Sequence, residues 1–360
     1  MRILILTDIY NRPETETFIG LKKAGIDIEL LVRSEPPYPR AQEAGLTSKE
    51  FVVQGRFDFK AILSLRKELK EGKFDILHVF NNRAASVGFL ASIGLPIKII
   101  AYRGIVGNVS FFSPNSWLTY LNPKVRRVVC VAEAIRTHFL QMRFLGLQLN
   151  PEKFVTIHKG HELSWYQKQA TDLNQFGIPQ GAFVVGFAGR DRPRKGIEVL
   201  IEAVNLLPRN VDVHLLLVGK MYRKKLMEKI AKSPRKDNIH LAGYRHDAPQ
   251  IAAACSIFAL PSLAREGLPR AVIEAMAYGT PALVSDTGGN PELIKQGECG
   301  YALPAGDAEK LSEAILELYN NPVKLKKMGA AAQKQIDDNF NNRQTVEKTI
   351  ALYRKVMKNP

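Results

Sequence analysis

Eleven short apolar runs alternate with stretches of helical periodicity along the 360-residue chain, and that alternation excludes most folds. In the first half the runs fall at 2–7, 27–32, 75–80, 98–102, 128–131 and 154–157. In the second they fall at 184–188, 213–218, 239–242, 257–260 and 282–285. They are nearly continuous in apolar and β-branched residues, which marks parallel strands covered on both faces. The segments between them repeat apolar residues every three to four positions; Ile197, Leu200, Ile201, Val204 and Leu207 form one such stripe. Strand–helix alternation in two blocks predicts an α/β protein of two doubly wound domains, with ligands held in a cleft at the strand C-termini. The polar stretch at 160–181, with Gln167, Lys168, Gln169, Asn174 and Gln175, separates the blocks. The expected divisions are a first domain at 1–165, a second at 166–340, and a closing helix within 341–360. That helix carries Val346, Ile350, Tyr353 and Val356 on one face, so it must pack on something.

Several functional classes fall away. The longest candidate for a membrane span, 87–102, is broken by Gly94, Pro96 and Lys98. The N-terminus, "MRILILTDIY", has one basic residue, a short apolar run and then Asp8, which suits a first strand and not a signal peptide. Cys130, Cys255 and Cys299 are odd in number and far apart, which argues for a reducing compartment and a cytoplasmic protein. The net charge of +16 is spread evenly, at about +8 per half. Residues 76–132 contain no carboxylate but include Arg83, Lys98, Arg103, Lys124, Arg126 and Arg127, a field that attracts phosphates. No basic motif is interleaved with aromatics, so nucleic acid is not the expected partner. No G-x-G-x-x-G follows a strand, so a nicotinamide dehydrogenase is not expected.

The stretch at 265–279, "REGLPRAVIEAMAYG", poses a physical problem. From 269 to 278 it reads as a helix apolar nearly all round, yet Glu274 sits in its middle and Glu266 lies eight residues earlier. A buried carboxylate without a partner costs several kcal/mol, so both need one. Three other loops suggest what it is. "GRDRPRKGIEV" follows a strand and puts Arg190 and Lys195 beside the helix opening at Gly196, a phosphate-binding arrangement. "SDTGGNPELI" ends a strand with Gly288 and Gly289, whose backbone allows close approach, before Pro291 starts another helix. "HLAGYRHD" ends a strand with Gly243 and Tyr244, a platform for a base. Helix N-termini and two cations at one sheet edge suit a diphosphate. Glu274 then suits the vicinal hydroxyls of a ribose, and Glu266 those of a sugar. A ligand with a diphosphate and two polyols is a nucleotide sugar.

These residues resemble retaining glycosyltransferases of glycosyltransferase family 4, which have the two-domain GT-B fold. The likeness rests on an E-x7-E motif (Glu266, Glu274), a G-R…K-G loop (Gly189, Arg190, Lys195, Gly196) and a G-G…E turn (Gly288, Gly289, Glu292). It covers 182–304 and, more loosely, the whole chain. The resemblance implies that Arg190 and Lys195 bind the diphosphate of a UDP- or GDP-sugar donor and that Glu274 holds the ribose. It assigns the donor sugar to Glu266 with the backbone of Gly267 and Leu268, and it places the closing helix back on the first domain.

The first half departs from the family pattern. "DIYNRPETETFIG" replaces the usual glycine-rich first loop, leaving Thr15, Glu16 and Thr17 as polar contacts. Arg103 stands where relatives carry a sugar-contacting histidine, and Lys159 replaces an asparagine. Arg103, Thr15 and Glu16 are therefore the acceptor-side candidates.

No cofactor and no metal are expected. No D-x-D occurs, and His158 and His161 lack a third ligand. Leaving-group charge must then be met by Arg190 and Lys195. Two rivals stand beside a transferase: a nucleotide-sugar 2-epimerase on the same scaffold, and a non-catalytic module binding nucleotide or anionic glycolipid. The stretch "FKAILSLRKELKEGK" groups Lys60, Arg66, Lys67, Lys70 and Lys73 near Ile62 and Leu63. That pattern fits a solvated helix and a helix on an anionic membrane equally well. The resemblance favours a glycan or lipid-linked acceptor, of cell-surface polysaccharide or lipopolysaccharide type, with peripheral membrane contact at the cytoplasmic face.

Overall fold

The computed structural model describes residues 1–8, 11–33 and 39–358. The chain forms two compact units, 1–160 with 341–360, and 161–340. Each contains one parallel sheet.

The first unit holds β1 (Arg2–Thr7), β2 (Asp27–Val32), β3 (Thr47–Glu50), β4 (Ile76–Val79), β5 (Lys98–Arg103) and β6 (Val125–Cys130). A two-strand hairpin, β7 (Arg143–Phe144) and β8 (Leu147–Gln148), interrupts the pattern before β9 (Phe154–Thr156). The sheet order is β3-β2-β1-β4-β5-β6-β9, parallel throughout. Its central strands are buried on both faces, with Ile3, Ile5, Ile76 and Ile100 fully enclosed, as their continuous apolar runs require. Helix starts are chemically marked. Asn11 and Glu14 make a capping box at Arg12–Lys23, and the Asp58 and Asn81 side chains accept from Ala61 and Ala84 amides at two others. The helix Asn342–Lys358 belongs to this unit. Tyr353 is fully buried there and its hydroxyl lies 2.7 Å from His78 Nδ1 on β4. Thr17 donates to Asn342 Oδ1 at 2.7 Å.

The second unit has β10 (Phe183–Ala188), β11 (Val213–Val218), β12 (Ile239–Gly243), β13 (Ile257–Leu260), β14 (Ala282–Ser285) and β15 (Gly300–Leu303). The order β12-β11-β10-β13-β14-β15 reverses direction between β10 and β13, which makes that junction the topological switch point. Ile197, Leu200, Ile201 and Val204 sit fully buried on the sheet from the helix Ile197–Leu206.

Ten of the eleven expected strands match within two residues at each end, and the fifth, 128–131, begins three residues earlier. The short β3, β15 and the hairpin were not expected. β3, "TSKE", is a mostly exposed edge strand with no apolar run to betray it. The helix expected at 269–278 spans Arg270–Ala277, with Pro269 and Tyr278 as its caps. One further expectation needs correction: the segment after Gly289 is only a 3-10 turn, Asn290–Leu293. Among the described residues no helix is long and apolar enough to cross a membrane.

Candidate active site

The switch point brings three loops of the second unit together because β10, β13 and β14 are neighbours. From the loop after β13, Glu266 turns inward and is only 5% exposed. Its partner is Lys195, from the loop after β10: Nζ donates to Oε1 at 2.8 Å. The Ser262 hydroxyl donates to the same oxygen at 2.8 Å, and Arg194 Nη1 lies 3.8 Å away. The burial problem at Glu266 is thus solved within the chain, by an ion pair and a hydroxyl.

Backbone contacts fix these loops. Leu263 N–H donates to the Arg194 carbonyl at 2.7 Å. Gly196 has φ 69°, and a Cβ there would fall 1.8 Å from the Pro261 carbonyl oxygen. Gly288 has φ 58°, and its Cβ would fall 2.2 Å from the Glu266 carbonyl oxygen. Both glycines allow two loops to touch. Ser285 and Thr287 hydroxyls donate to the Ser262 carbonyl, the latter at 3.1 Å, and Asn290 Nδ2 donates to Ser285 Oγ at 3.1 Å. The turn at Gly288–Gly289 is therefore tied to the segment that presents Glu266. Among the described residues the amides of Gly267 and Leu268 make no hydrogen bond, so they can serve a ligand.

The other candidates are dispersed. Arg190 is exposed and has no ion-pair partner among the described residues, so Arg194 and not Arg190 accompanies Lys195 at Glu266. Glu274 is half-buried on its helix with Arg270 Nε 3.3 Å from Oε1. Gly243 adopts φ 68° and accepts from Gly219 N–H at 2.7 Å. Tyr244 is 63% exposed at the end of edge strand β12, its ring edge-on to His246.

On the first unit the acceptor-side candidates are occupied by the fold. Arg103 is buried, donates to the carbonyls of Ile105 (3.0 Å) and Gly107, and lies 5.0 Å over the Tyr120 ring. Its guanidinium shapes its own loop. The Thr15 hydroxyl donates to the Asn11 carbonyl at 3.0 Å, and Glu16 pairs with Arg40 at 2.7 Å. Ile9 and Tyr10 of the first loop lie outside the described residues. Lys159 pairs with Glu14, and both line a cavity of about 40 Å³ with Tyr102 and His78. His78 Nε2 has no partner among the described residues, and burial pushes its imidazole pKa down to about 3.

Sequence reasoning missed Asp191, Arg194 and Ser262. Asp191 is buried and accepts from the Tyr222 and Arg223 amides at 3.0 and 2.8 Å and from the Arg223 guanidinium, which also pairs with Glu198 at 2.7 Å. Burial opposes its charge, but those donors outweigh it and hold the carboxyl below its usual range. The available signal was that Asp191 is the one carboxylate among four cations at 190–195.

Comparison with known proteins adds a second line. Residues 168–335 match the family model described as "Glycosyl transferases group 1", and residues 16–165 match "Glycosyltransferase Family 4". The chain is 27% identical over 313 residues to the UDP-Gal:alpha-D-GlcNAc-diphosphoundecaprenol alpha-1,3-galactosyltransferase of Escherichia coli, covering 82% of this chain and 79% of that one. It is 27% identical over 278 residues to the phosphatidyl-myo-inositol mannosyltransferase of Mycobacterium leprae, covering 76% and 71%. Among solved structures, the Anabaena protein HepE in complex with UDP superposes with a TM-score of 0.79 at 22% identity, over 99% of this chain and 100% of that one. A glycosyltransferase from Rickettsia africae gives a TM-score of 0.83 at 20% identity, over 100% and 99%. The architecture of two doubly wound units is the GT-B fold.

Proposed function

Because the chain belongs to the group 1 glycosyltransferases of family 4, we propose that it transfers a sugar from a UDP- or GDP-sugar to a glycan or lipid-linked acceptor, with retention and without a metal. The observation that carries this is the Lys195–Glu266 pair at the switch point of the second sheet, with Arg194 beside it. One carboxylate against Arg190, Arg194 and Lys195 leaves a local surplus of cations, which complements a diphosphate. The amides of Gly267 and Leu268 add donors for the sugar, Glu274 suits the ribose, and Tyr244 with Gly243 suits the base. The turn at Gly288–Gly289 keeps Glu266 in place.

In the proposed step the acceptor hydroxyl oxygen bonds to the anomeric carbon on the face from which the diphosphate leaves. The bond from that carbon to the phosphate oxygen breaks, and the departing oxygen takes the hydroxyl proton. Lys195 and the arginines stabilise the charge that develops there. The acceptor falls to the first unit. Relatives named for diphosphoundecaprenol and phosphatidylinositol acceptors support a lipid-linked one, and hence a place at the cytoplasmic face of a membrane.

A thermal-shift screen of UDP- and GDP-sugars in the presence of a chelator tests this. One donor should raise the melting temperature by mass action, about 2.7 kcal/mol of stabilisation at a hundredfold excess over Kd. No shift with any donor at millimolar concentration would refute the proposal.

A further inference from the structure

The first unit carries an exposed aromatic surface that no step of the transfer uses. The β7–β8 hairpin turns through Leu145 and Gly146, at φ 46° and 77°. Two successive positive φ values make a turn that favours Asn-Gly, and a leucine is poorly suited to its first position. Yet Leu145 stands at the tip, 86% exposed. A strained, wet leucine at a loop tip calls for a reason. Below it, Phe144 stacks on Phe111 at 6.0 Å and meets Phe112 edge-on at 4.9 Å, and Phe111 lies 6.3 Å from Trp117. Phe112 is 78% exposed and Trp117 44%. The Trp117 indole N–H donates to the Phe111 carbonyl at 2.7 Å, so the one polar atom of its ring is already satisfied.

Charge decides what this surface meets. The two segments that build it, within 76–132 and 134–151, contain no carboxylate, and exposed Arg143 and Arg126 lie on them. The intervening Glu133 is engaged by Arg136 at 2.8 Å and by the Thr156 hydroxyl at 2.5 Å. An apolar tip, an aromatic belt and unopposed cations match an anionic bilayer. The basic helix singled out in the sequence matches it less well. Arg66 donates to the Ala91 and Ile93 carbonyls, Lys67 lies 3.8 Å from Glu71, and Glu68 holds Lys49.

We propose that the hairpin tip at Leu145, with Phe112 and Trp117, docks the first unit onto an anionic phospholipid bilayer. The proposal deepens, and rests on, the lipid-linked acceptor of the preceding section. Trp117 and Trp165 are the chain's two tryptophans, and Trp165 belongs to the other unit, so Trp165→Phe leaves one reporter in the surface. With that chain, vesicles of phosphatidylglycerol and phosphatidylethanolamine should blue-shift the emission, and brominated acyl chains should quench it. Pure phosphatidylcholine should do so much less. Leu145→Asn creates the Asn-Gly pair that the turn prefers, so the fold is kept or strengthened, while vesicle affinity should fall about tenfold or more. No blue shift with anionic vesicles at low salt overturns the proposal, as does unchanged affinity in Leu145→Asn. So does concentration-dependent dimerisation, seen by sedimentation velocity, that Leu145→Asn abolishes, because a second copy would then be the occupant. A chain that ignores vesicles yet is stabilised by a sugar nucleotide overturns the surface alone. One that docks but responds to no donor supports the surface and refutes the transferase proposal.

Discussion

Replacing Lys195 with alanine should destabilise the second unit as well as disable it, and the two effects can be separated. Glu266 would remain buried with the Ser262 hydroxyl at 2.8 Å and Arg194 at 3.8 Å. At an effective dielectric of about 20 the attraction lost at 2.8 Å is worth about 6 kcal/mol, offset in part by the Lys195 desolvation that is no longer required, while the Arg194 contribution is unchanged. Removing one member of a fully buried pair typically costs about 3–5 kcal/mol. Since Lys195 keeps some exposure, about 2–3 kcal/mol is expected. For a unit of about 180 residues that is a fall of roughly 5–10 °C in melting temperature. Trp117→Phe leaves buried Trp165 as a reporter of this unit alone, so its fluorescence is the assay. Adding Glu266→Gln to Lys195→Ala removes the stranded charge and should restore most of the loss while leaving transfer about a hundredfold or more down. A shift under about 2 °C in the single variant, or a double variant that melts no higher than the single one, refutes the reasoning.

Two further outcomes follow from the geometry. Gly288→Ala forces a methyl to 2.2 Å from the Glu266 carbonyl oxygen at φ 58°, so it should displace Glu266 and cut turnover at least tenfold; near-normal turnover would show that the turn does not position the carboxylate. His78 has a folded pKa depressed to about 3 from an ordinary value near 6.5, so its neutral form contributes stability that is complete above about pH 6.5 and lost as pH falls toward 3. At pH 5 that loss is about 2 kcal/mol. Urea unfolding of the first unit, followed through Trp117, should show wild type losing this much more than His78→Phe between pH 7 and pH 5; equal losses would disprove it.

The fold was legible because parallel strands buried on both faces leave nearly continuous apolar runs, as Arg2–Thr7 and Val213–Val218 do. Where burial is partial the record fades. β3 reads "TSKE" and has no apolar signature, and the hairpin at Leu145 breaks the composition rule for its own turn type. The site was legible as a set of residue types, less so as a set of pairs. Glu266 and Lys195 are 71 residues apart, and nothing in either local pattern says that β10 and β13 are neighbours. Four cations crowd 190–195, and only the third dimension chooses Arg194 over Arg190 to stand beside Glu266. Asp191 pulls the other way, onto Arg223 and the amides after β11.

That division of the loop has a chemical consequence. A loop of four cations at a helix start would repel itself and splay, yet here each end is anchored to a different carboxylate: Asp191 to the β11 side and Lys195 to Glu266 on the β13 side. The segment is held open over the switch point by the same charges that neutralise part of it. What remains uncompensated among the described residues, exposed Arg190 and Arg192 and the outer reach of Arg194, is what an incoming anion could use. Lys195, by contrast, is held in place before any ligand arrives, so in the proposed transfer it would need no reorganisation as leaving-group charge develops. The buried Glu266 that first looked like a cost to folding is, on this account, the anchor that sets Lys195 in position.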